Sequence, residues 1–321
     1  MNVSEVSRVA VIGSGTMGPG IAGTFAQAGC EVGLVDLTDD LLRGGMERLR
    51  QAQAVLVEAG LLLPDGAADA LGRVRPTVRL EAACEGADLV VEAITEDLEL
   101  KKEMFGRFGA LCPAQAVLAT NTSGLSITEI ARGADRPDRV AGMHFWNPPH
   151  IIPLVEVTRG EATADATADL LVGICRRLGK RPILVRHDIP GFVGNRLQFA
   201  VMREALHLLS EGVASAEDID TAMTAGPGLR YGLMGPLRTA DLGGLDVFSA
   251  ISRYLFAELN SSTKPSAILS ELVGAGKLGA KSGEGIYTYS SEALDRYLTR
   301  RDRVLLKFLD VLNREEGTGD A

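Results

Sequence analysis

The chain has 321 residues, 46% of them apolar, and a formal net charge of −9 at neutral pH. That length accommodates two domains of roughly 150 residues with real cores, and the acidic balance argues against nucleic-acid binding and against anionic membrane surfaces. No apolar run approaches the ~20 residues of a membrane span, no signal-peptide pattern opens the chain, and Cys30, Cys84, Cys112 and Cys175 lack metal-ligand spacing, so the expectation is a cytoplasmic protein without a metal site.

Residues 8–12 form a short β-type run leading into Gly13-Ser14-Gly15-Thr16-Met17-Gly18, after which Ile21, Ala22, Phe25 and Ala26 repeat at helical spacing. A glycine-rich turn between strand and helix suits a dinucleotide pyrophosphate. Gly13 allows the tight turn, Gly15 lets the backbone approach the phosphates, and Gly18 permits helix–sheet contact. The helix N-terminus adds roughly half a unit of positive charge there. Residues 31–36 read as the second strand, and Asp36 falls 18 residues after Gly18, where a carboxylate can bond both ribose hydroxyls. With no arginine directly after Asp36, NAD is favoured over NADP.

A helical stretch over 39–59 follows, broken at 61–66, with another turn of helix over 67–71. This hairpin is either a solvated excursion or a wall of the substrate site. Residues 74–78 suggest a short strand. Residues 87–94 read as a buried strand ending at Thr95-Glu96-Asp97, followed by helix through Lys101 and Phe105 to Leu111. The strand at 116–120 delivers Asn121-Thr122-Ser123-Gly124. Ligand contacts in a doubly wound sheet lie past the carboxyl ends of the strands, so Glu96, Asn121 and Ser123 share a rim with the glycine loop. No GxSxG elbow surrounds Ser123, which therefore reads as a hydrogen-bonding serine rather than a nucleophile.

Residues 140–145 look like a buried strand that carries His144 to its end, and Pro148, Pro149 and Pro153 hold the following loop extended. The run at 154–157 brings Glu156 back toward the histidine. Such a carboxylate fixes the imidazole tautomer and stabilises the imidazolium, while Asn147 can orient a polar substrate. The alternative is a core histidine with a carboxylate partner, against which the nucleotide-binding signals weigh.

Helix over 162–178 and a last strand over 181–185 complete the first domain. Asp188-Ile189-Pro190-Gly191 marks a boundary, giving domains 1–187 and 188–321. The second domain reads as helical, over 192–209, 216–223 and 237–259, with separators at Gly226-Pro227-Gly228 and Gly235-Pro236. Asn195 sits near the start of the first of these helices. After Tyr289, Leu298, Val304, Leu305, Phe308, Leu309 and Leu312 form a helical stripe suited to packing or extra dimer contact. The expected architecture is α/β, a Rossmann-type doubly wound sheet domain followed by an all-helical C-terminal domain.

Together VAVIGSGTMGPGIA (9–22), DLVVEAITEDLELK (88–101), ATNTSGLSI (119–127), GMHFWNPPHIIPLVEV (142–157), PGFVGNRL (190–197) and GAKSGEGIYTY (279–289) resemble the L-3-hydroxyacyl-CoA dehydrogenase family. The resemblance covers nearly the whole chain in the expected order. It implies an NAD-dependent oxidoreductase that interconverts a 3-hydroxyacyl thioester and its 3-keto form, with the site between the domains and two subunits paired through the helical one. It implies that His144 exchanges the hydroxyl proton, Glu156 orients His144, Ser123 bonds the reacting oxygen, and Asn147 and Asn195 position substrate. The cofactor set it implies is Gly13, Gly15, Thr16, Met17, Gly18, Asp36, Ala93, Glu96, Lys101, Asn121 and Ser123, with Lys281 reaching in from the second domain.

Two departures bear on the substrate. Acyl-CoA-using relatives tend to carry lysines in the helical hairpin, where residues 56–63 here offer Glu58 and a run of leucines, with Arg73 and Arg75 farther along. Residues 228–236 look more like the branch acting on small free acids such as gulonate and carnitine, which includes λ-crystallin. Arg230 there either pairs with a substrate carboxylate through a bidentate fork or ties helices together. The alternatives are the same chemistry on a small hydroxy acid and a non-enzymatic NAD-binding structural protein, the latter disfavoured by the complete set of site residues.

Overall fold

Eight short strands line up as one sheet in the computed structural model, which describes residues 1–318. They are β1 (Arg8–Ile12), β2 (Glu31–Val35), β3 (Val74–Thr77), β4 (Leu89–Glu92), β5 (Val117–Thr120), β6 (Val140–Phe145), β7 (Leu154–Arg159) and β8 (Arg181–Val185). Their order is β3-β2-β1-β4-β5-β6-β7-β8. The pairings are parallel except β6 with β7, which run antiparallel. The reversal between β1 and β4 is the switch point at which such sheets take ligands.

Helices cover both faces of the sheet: α1 (Gly18–Gln27), α2 (Asp39–Glu58), α3 (Pro64–Arg73), α4 (Leu80–Cys84), α5 (Leu98–Leu111), α6 (Ile127–Ala131) and α7 (Asp165–Arg177). Side-chain alternation along β1 shows why two layers form. Val9 and Val11 join Ile21, Phe25 and Leu171 in one core, whereas Ala10 and Ile12 join Phe105, Phe108 and Ile130 in the other. Strands buried on both faces need near-continuous apolar sequence, and β4 and β5 have no exposed residue. Caps set the helix starts: Thr38 accepts from the Leu41 N–H to open α2, and Asp97 accepts from the Leu100 N–H to open α5.

The chain divides into two compact units between Asn195 and Arg196, inside the first turn of α8 (Gly194–Ser210). The second unit contains α9 (Ala216–Ala225), α10 (Pro227–Tyr231), α11 (Pro236–Gly243), α12 (Leu245–Leu255), α13 (Ala267–Gly274) and α14 (Ser291–Thr318). Isolated bridges pair Gly279 and Thr288 with Glu284 before α14.

Two helical expectations need correction. The helix expected over 237–259 is two helices, because Gly244 takes φ +91, a left-handed value that ends α11 and starts α12. The helix expected from 192 begins at Gly194, because Phe192 itself has φ +48 and lies fully buried ahead of it. Among the described residues no helix is long and apolar enough to cross a membrane.

Candidate active site

The loop after β1 is built by contacts too close for side chains. A Cβ on Gly18 would lie 1.8 Å from the Gly13 carbonyl oxygen, and one on Gly13, at φ +105, would lie 2.6 Å from the Ala93 carbonyl oxygen at the end of β4. A Cβ on Gly15 would meet nothing within 4 Å. Gly13 and Gly18 are therefore glycine for packing, whereas Gly15 faces open space. Thr16 is exposed and Met17 half-buried at the start of α1.

Asp36, at the end of β2, closes this loop. Its Oδ2 accepts from the Ser14 N–H at 2.7 Å and the Ser14 hydroxyl at 2.6 Å, and its Oδ1 accepts from the Leu37 N–H at 2.7 Å. Burial raises its pKa, but the Ser14 and Leu37 donors, helped by Arg48, outweigh that and hold the carboxyl below its usual value. Arg48 of α2 reaches the Ser14 carbonyl at 2.7 Å and the Gly15 carbonyl at 3.2 Å, so the hairpin braces the glycine turn. Leu37, beside Asp36, is 86% exposed. An open glycine turn at a helix start with a carboxylate at the second strand end fits a dinucleotide's pyrophosphate and ribose.

The β4 and β5 ends carry a buried polar network. Glu92 accepts from Lys101 Nζ at 2.6 Å, the Thr120 hydroxyl at 2.7 Å and the Ile94 N–H at 2.8 Å. Lys101 also lies 3.4 Å from Glu96, whose other oxygen accepts from the Thr122 hydroxyl and the Ser123 N–H. The family resemblance implies that Lys101 touches the cofactor; in the structure it is 1% exposed, with its ammonium held by Glu92 and Glu96, as a buried ion must be paired. Its influence on the rim passes through Glu96, which is exposed. Asn121 likewise has a structural bond, accepting from the Phe145 N–H at 2.8 Å and so tying β5 to β6.

His144 and Glu156 are register partners in the antiparallel pair β6–β7, and His144 Nδ1 lies 2.8 Å from Glu156 Oε2. Glu156 is fully buried and four donors surround it. Oε2 also accepts from the Trp146 indole N–H at 3.1 Å, while Oε1 accepts from the Val193 and Gly194 N–H groups at 3.0 and 2.9 Å. Burial pushes its pKa up, but the His144, backbone and Trp146 donors together hold it below the ordinary carboxylate value. A carboxylate so held takes its bond from Nδ1–H and leaves Nε2 of His144 with the lone pair. Phe192 packs on the imidazole with ring centres 5.9 Å apart.

Asn195 Nδ2 donates to the Ser123 carbonyl at 2.8 Å, so the start of α8 is joined to the loop after β5. Ser123 is exposed there. Asn147 is exposed at a cis bond to Pro148. The loop that follows is anchored by Lys180, which donates to the Pro149 and Ile152 carbonyls at 2.5 and 3.1 Å. Arg230 lies in the last turn of α10 and Lys281 in the bridged turn between Gly279 and Glu284, both in the second unit. Among the described residues no group of three or more His, Cys, Asp or Glu could hold a metal ion. Sequence reasoning missed Trp146, Val193 and Gly194 as donors to Glu156; the glycines of PGFVGN were the available signal.

A dinucleotide-binding sheet with a histidine–carboxylate pair on a strand end defines an NAD-dependent oxidoreductase. Family models agree along the chain: residues 8–189 match the 3-hydroxyacyl-CoA dehydrogenase NAD binding domain, and residues 191–289 match the C-terminal domain of the same family. The chain belongs to the 3-hydroxyacyl-CoA dehydrogenase family. It is 40% identical over 289 residues to a probable 3-hydroxybutyryl-CoA dehydrogenase of Bacillus subtilis, covering 90% of this chain and 99% of that one. It is 35% identical over 311 residues to the 5-formyl-3-hydroxy-2-methylpyridine 4-carboxylate 5-dehydrogenase of Mesorhizobium japonicum, covering 97% of this chain and all of that one. A solved structure of a dehydrogenase for that pyridine acid, described as an NAD+-dependent dismutase, superposes with a TM-score of 0.90 at 35% identity, covering 96% and 99% of the two chains.

Proposed function

We propose that this chain oxidises a hydroxyl-bearing carbon, or reduces the corresponding carbonyl, with His144 Nε2 as the group that takes or returns the oxygen-bound proton. The observation that carries this reading is the His144–Glu156 pair, buried and 2.8 Å apart. Glu156 holds the imidazole in one tautomer and offsets the imidazolium charge that proton removal creates. Ser123 donates to the reacting oxygen, with the Asn195–Ser123 bond fixing its loop, and Asn147 orients the rest of the substrate. Gly15, Thr16 and the start of α1 hold the pyrophosphate, Asp36 the ribose, and Glu96 and Asn121 the far rim. NAD, when bound, supplies the hydride acceptor or donor; the residues supply alignment and proton transfer.

Two handles fit this chemistry. The family relatives point to a 3-hydroxyacyl thioester. A second reading, a small hydroxy acid or aldehyde carrying a carboxylate, is favoured by two observations. No lysine precedes Lys101, and in the α2–α3 hairpin Arg43 pairs with Asp40, Arg50 with Glu47, and Arg48 is spent on the glycine loop, which leaves Arg73 at the end of α3 and Arg75 on β3 as the remaining cations there. A CoA handle brings several phosphate charges and needs free cations, whereas a carboxylate needs one, and Arg230 provides it. The match running nearly the full chain to a pyridine-carboxylate dehydrogenase supports the same choice. We take the carboxylate handle as the better reading.

The test is NADH consumption with acetoacetyl-CoA, free acetoacetate and a panel of small keto acids and aldehyde acids. Turnover of a free acid with the thioester inert, and loss of that turnover in Arg230→Ala, supports the carboxylate handle. Fast turnover of the thioester alone replaces it with the acyl-CoA reading.

A second copy of the chain is proposed to cover the helical unit. Among the described residues beyond Asn195 only Leu206 and Leu306 are buried apolar side chains, whereas Leu245, Val247, Phe248, Tyr254 and Phe256 are each at least 40% exposed. A unit of that size needs more core than this. Light scattering is expected to report a dimer; a monomer at micromolar concentration removes this part.

A further inference from the structure

We propose that Trp146 is a positioning residue for the proton-transfer pair, acting through its indole N–H on Glu156. This inference rests on the reading of His144 as the proton-transfer group.

Trp146 is the chain's only tryptophan. Its Nε1 donates to Oε2 of Glu156 at 3.1 Å, the same oxygen that lies 2.8 Å from His144 Nδ1. The two donors therefore share one carboxylate oxygen, while the Val193 and Gly194 N–H groups occupy the other. With all four bonds made, the carboxylate cannot rotate or take up a second orientation toward the histidine. The indole also flanks the imidazole, with ring centres 5.6 Å apart and planes tilted by 54°.

The surroundings are cut to hold the indole there. A Cβ on Gly194 would lie 2.3 Å from Trp146 Cζ2, so the first residue of α8 must lack a side chain for the ring to lie across the helix start. The same residue supplies one of the two N–H bonds to Glu156. One glycine thus serves both sides of the carboxylate. A ring that filled space alone would not need its N–H aimed at the buried acid.

The groups acting on Glu156 are His144 from β6, the Trp146 indole and the backbone donors entering α8, and its neighbours Val155, Val157 and the β8 register partner Ile183 are apolar. The Trp146 N–H draws on the electron density that His144 also uses. Removing it leaves a more basic carboxylate, which stabilises the imidazolium more and places the neutral, proton-accepting histidine at higher pH.

The test compares Trp146→Phe with wild type in steady-state oxidation across pH, beside His144→Asn. Trp146→Phe keeps the ring and loses the donor. It is expected to lower kcat roughly three- to tenfold, part of the worth of one hydrogen bond to a charged acceptor, and to move the ascending limb of kcat/KM up by about 0.5 pH unit, with KM for NAD unchanged. A kcat and a limb that both stay in place, or a lower kcat with an unmoved limb, overturn the proposal. The second measurement labels the unmutated enzyme with 5-fluorotryptophan, which enters at Trp146 alone. Its fluorine resonance is expected to titrate with the same midpoint as kcat/KM and to stop titrating in His144→Asn. A resonance that ignores pH in the wild type overturns the proposal even if Trp146→Phe folds poorly. Retained activity in His144→Asn would instead sink the proton-transfer reading itself, so the two failures are distinct.

Discussion

His144 and Glu156 face each other as register partners across β6 and β7, and their side chains meet at 2.8 Å between Nδ1 and Oε2. Directly opposed residues of an antiparallel pair have their Cβ atoms about 5 Å apart, which brings an imidazole and a carboxylate together with little freedom. The turn-back of the chain after the Asn147-Pro148-Pro149 loop therefore makes the pair, since a parallel β7 would place these two side chains in a different register.

Replacing His144 by Asn is expected to reduce turnover about 10²–10⁴-fold, the usual contribution of a positioned general acid or base. The glycine loop proposed to hold NADH, Gly13–Gly18, lies between β1 and the start of α1, so NADH affinity should be unchanged. Stopped-flow turnover and fluorescence titration of NADH check the two halves. An unchanged rate would show that the pair is structural.

Glu156→Gln should weaken the fold in a pH-dependent way. The folded pKa of Glu156 lies below its ordinary 4.5, so in that acid window the unfolded chain binds the proton first. Its stabilisation is complete above the ordinary value and is lost as pH falls through the folded one. At pH 7 the variant is expected to melt roughly 5 °C lower, from about 2 kcal/mol of charge-assisted hydrogen bonding in a domain of this size. The gap should close on acidification. Thermal melts at several pH values decide it, and a gap that widens toward acid contradicts the assignment.

The strand runs, the glycine turn, Asp36 and the His144–Glu156 return were legible in the sequence because each is a local pattern, of period, spacing or a short turn-back. What escaped depends on distant segments. Val193 and Gly194 come 37 and 38 residues after the Glu156 they bind, and no spacing rule predicts a backbone N–H on a carboxylate. The pairing of Lys101 with Glu92 was hidden because the two sit on different elements, α5 and β4. The break at Gly244 was signalled by the Gly243-Gly244 pair, but the apolar period on both sides of it read as one continuous helix.

Asp36 and Leu37 should govern cofactor choice. Asp36 carries three protein donors and stays ionised, so a 2′-phosphate placed beside it would meet a fixed negative charge. Asp36→Ser with Leu37→Arg removes that charge and supplies a phosphate partner at a position that is already 86% exposed. The double variant is expected to reverse the NAD to NADP preference measured as kcat/KM, and an unaltered preference would show that these two positions do not select the cofactor.

Two glycines of the same loop should fail for different reasons. A Cβ on Gly18 would press into the Gly13 carbonyl at 1.8 Å, backbone against backbone, so Gly18→Ala must displace the turn or the start of α1. Loss of melting temperature is expected, along with loss of NADH binding. A Cβ on Gly15 meets no protein atom within 4 Å, so Gly15→Ala should melt like the wild type, within about 0.5 kcal/mol as for an unobstructed surface position. The space it fills is the approach to the pyrophosphate, and NADH affinity should therefore fall while the fold is kept. Differential scanning fluorimetry with and without NADH separates the two. If Gly15→Ala keeps its NADH-induced rise in melting temperature, the pyrophosphate does not pass over Gly15 and the cofactor placement along this loop is wrong.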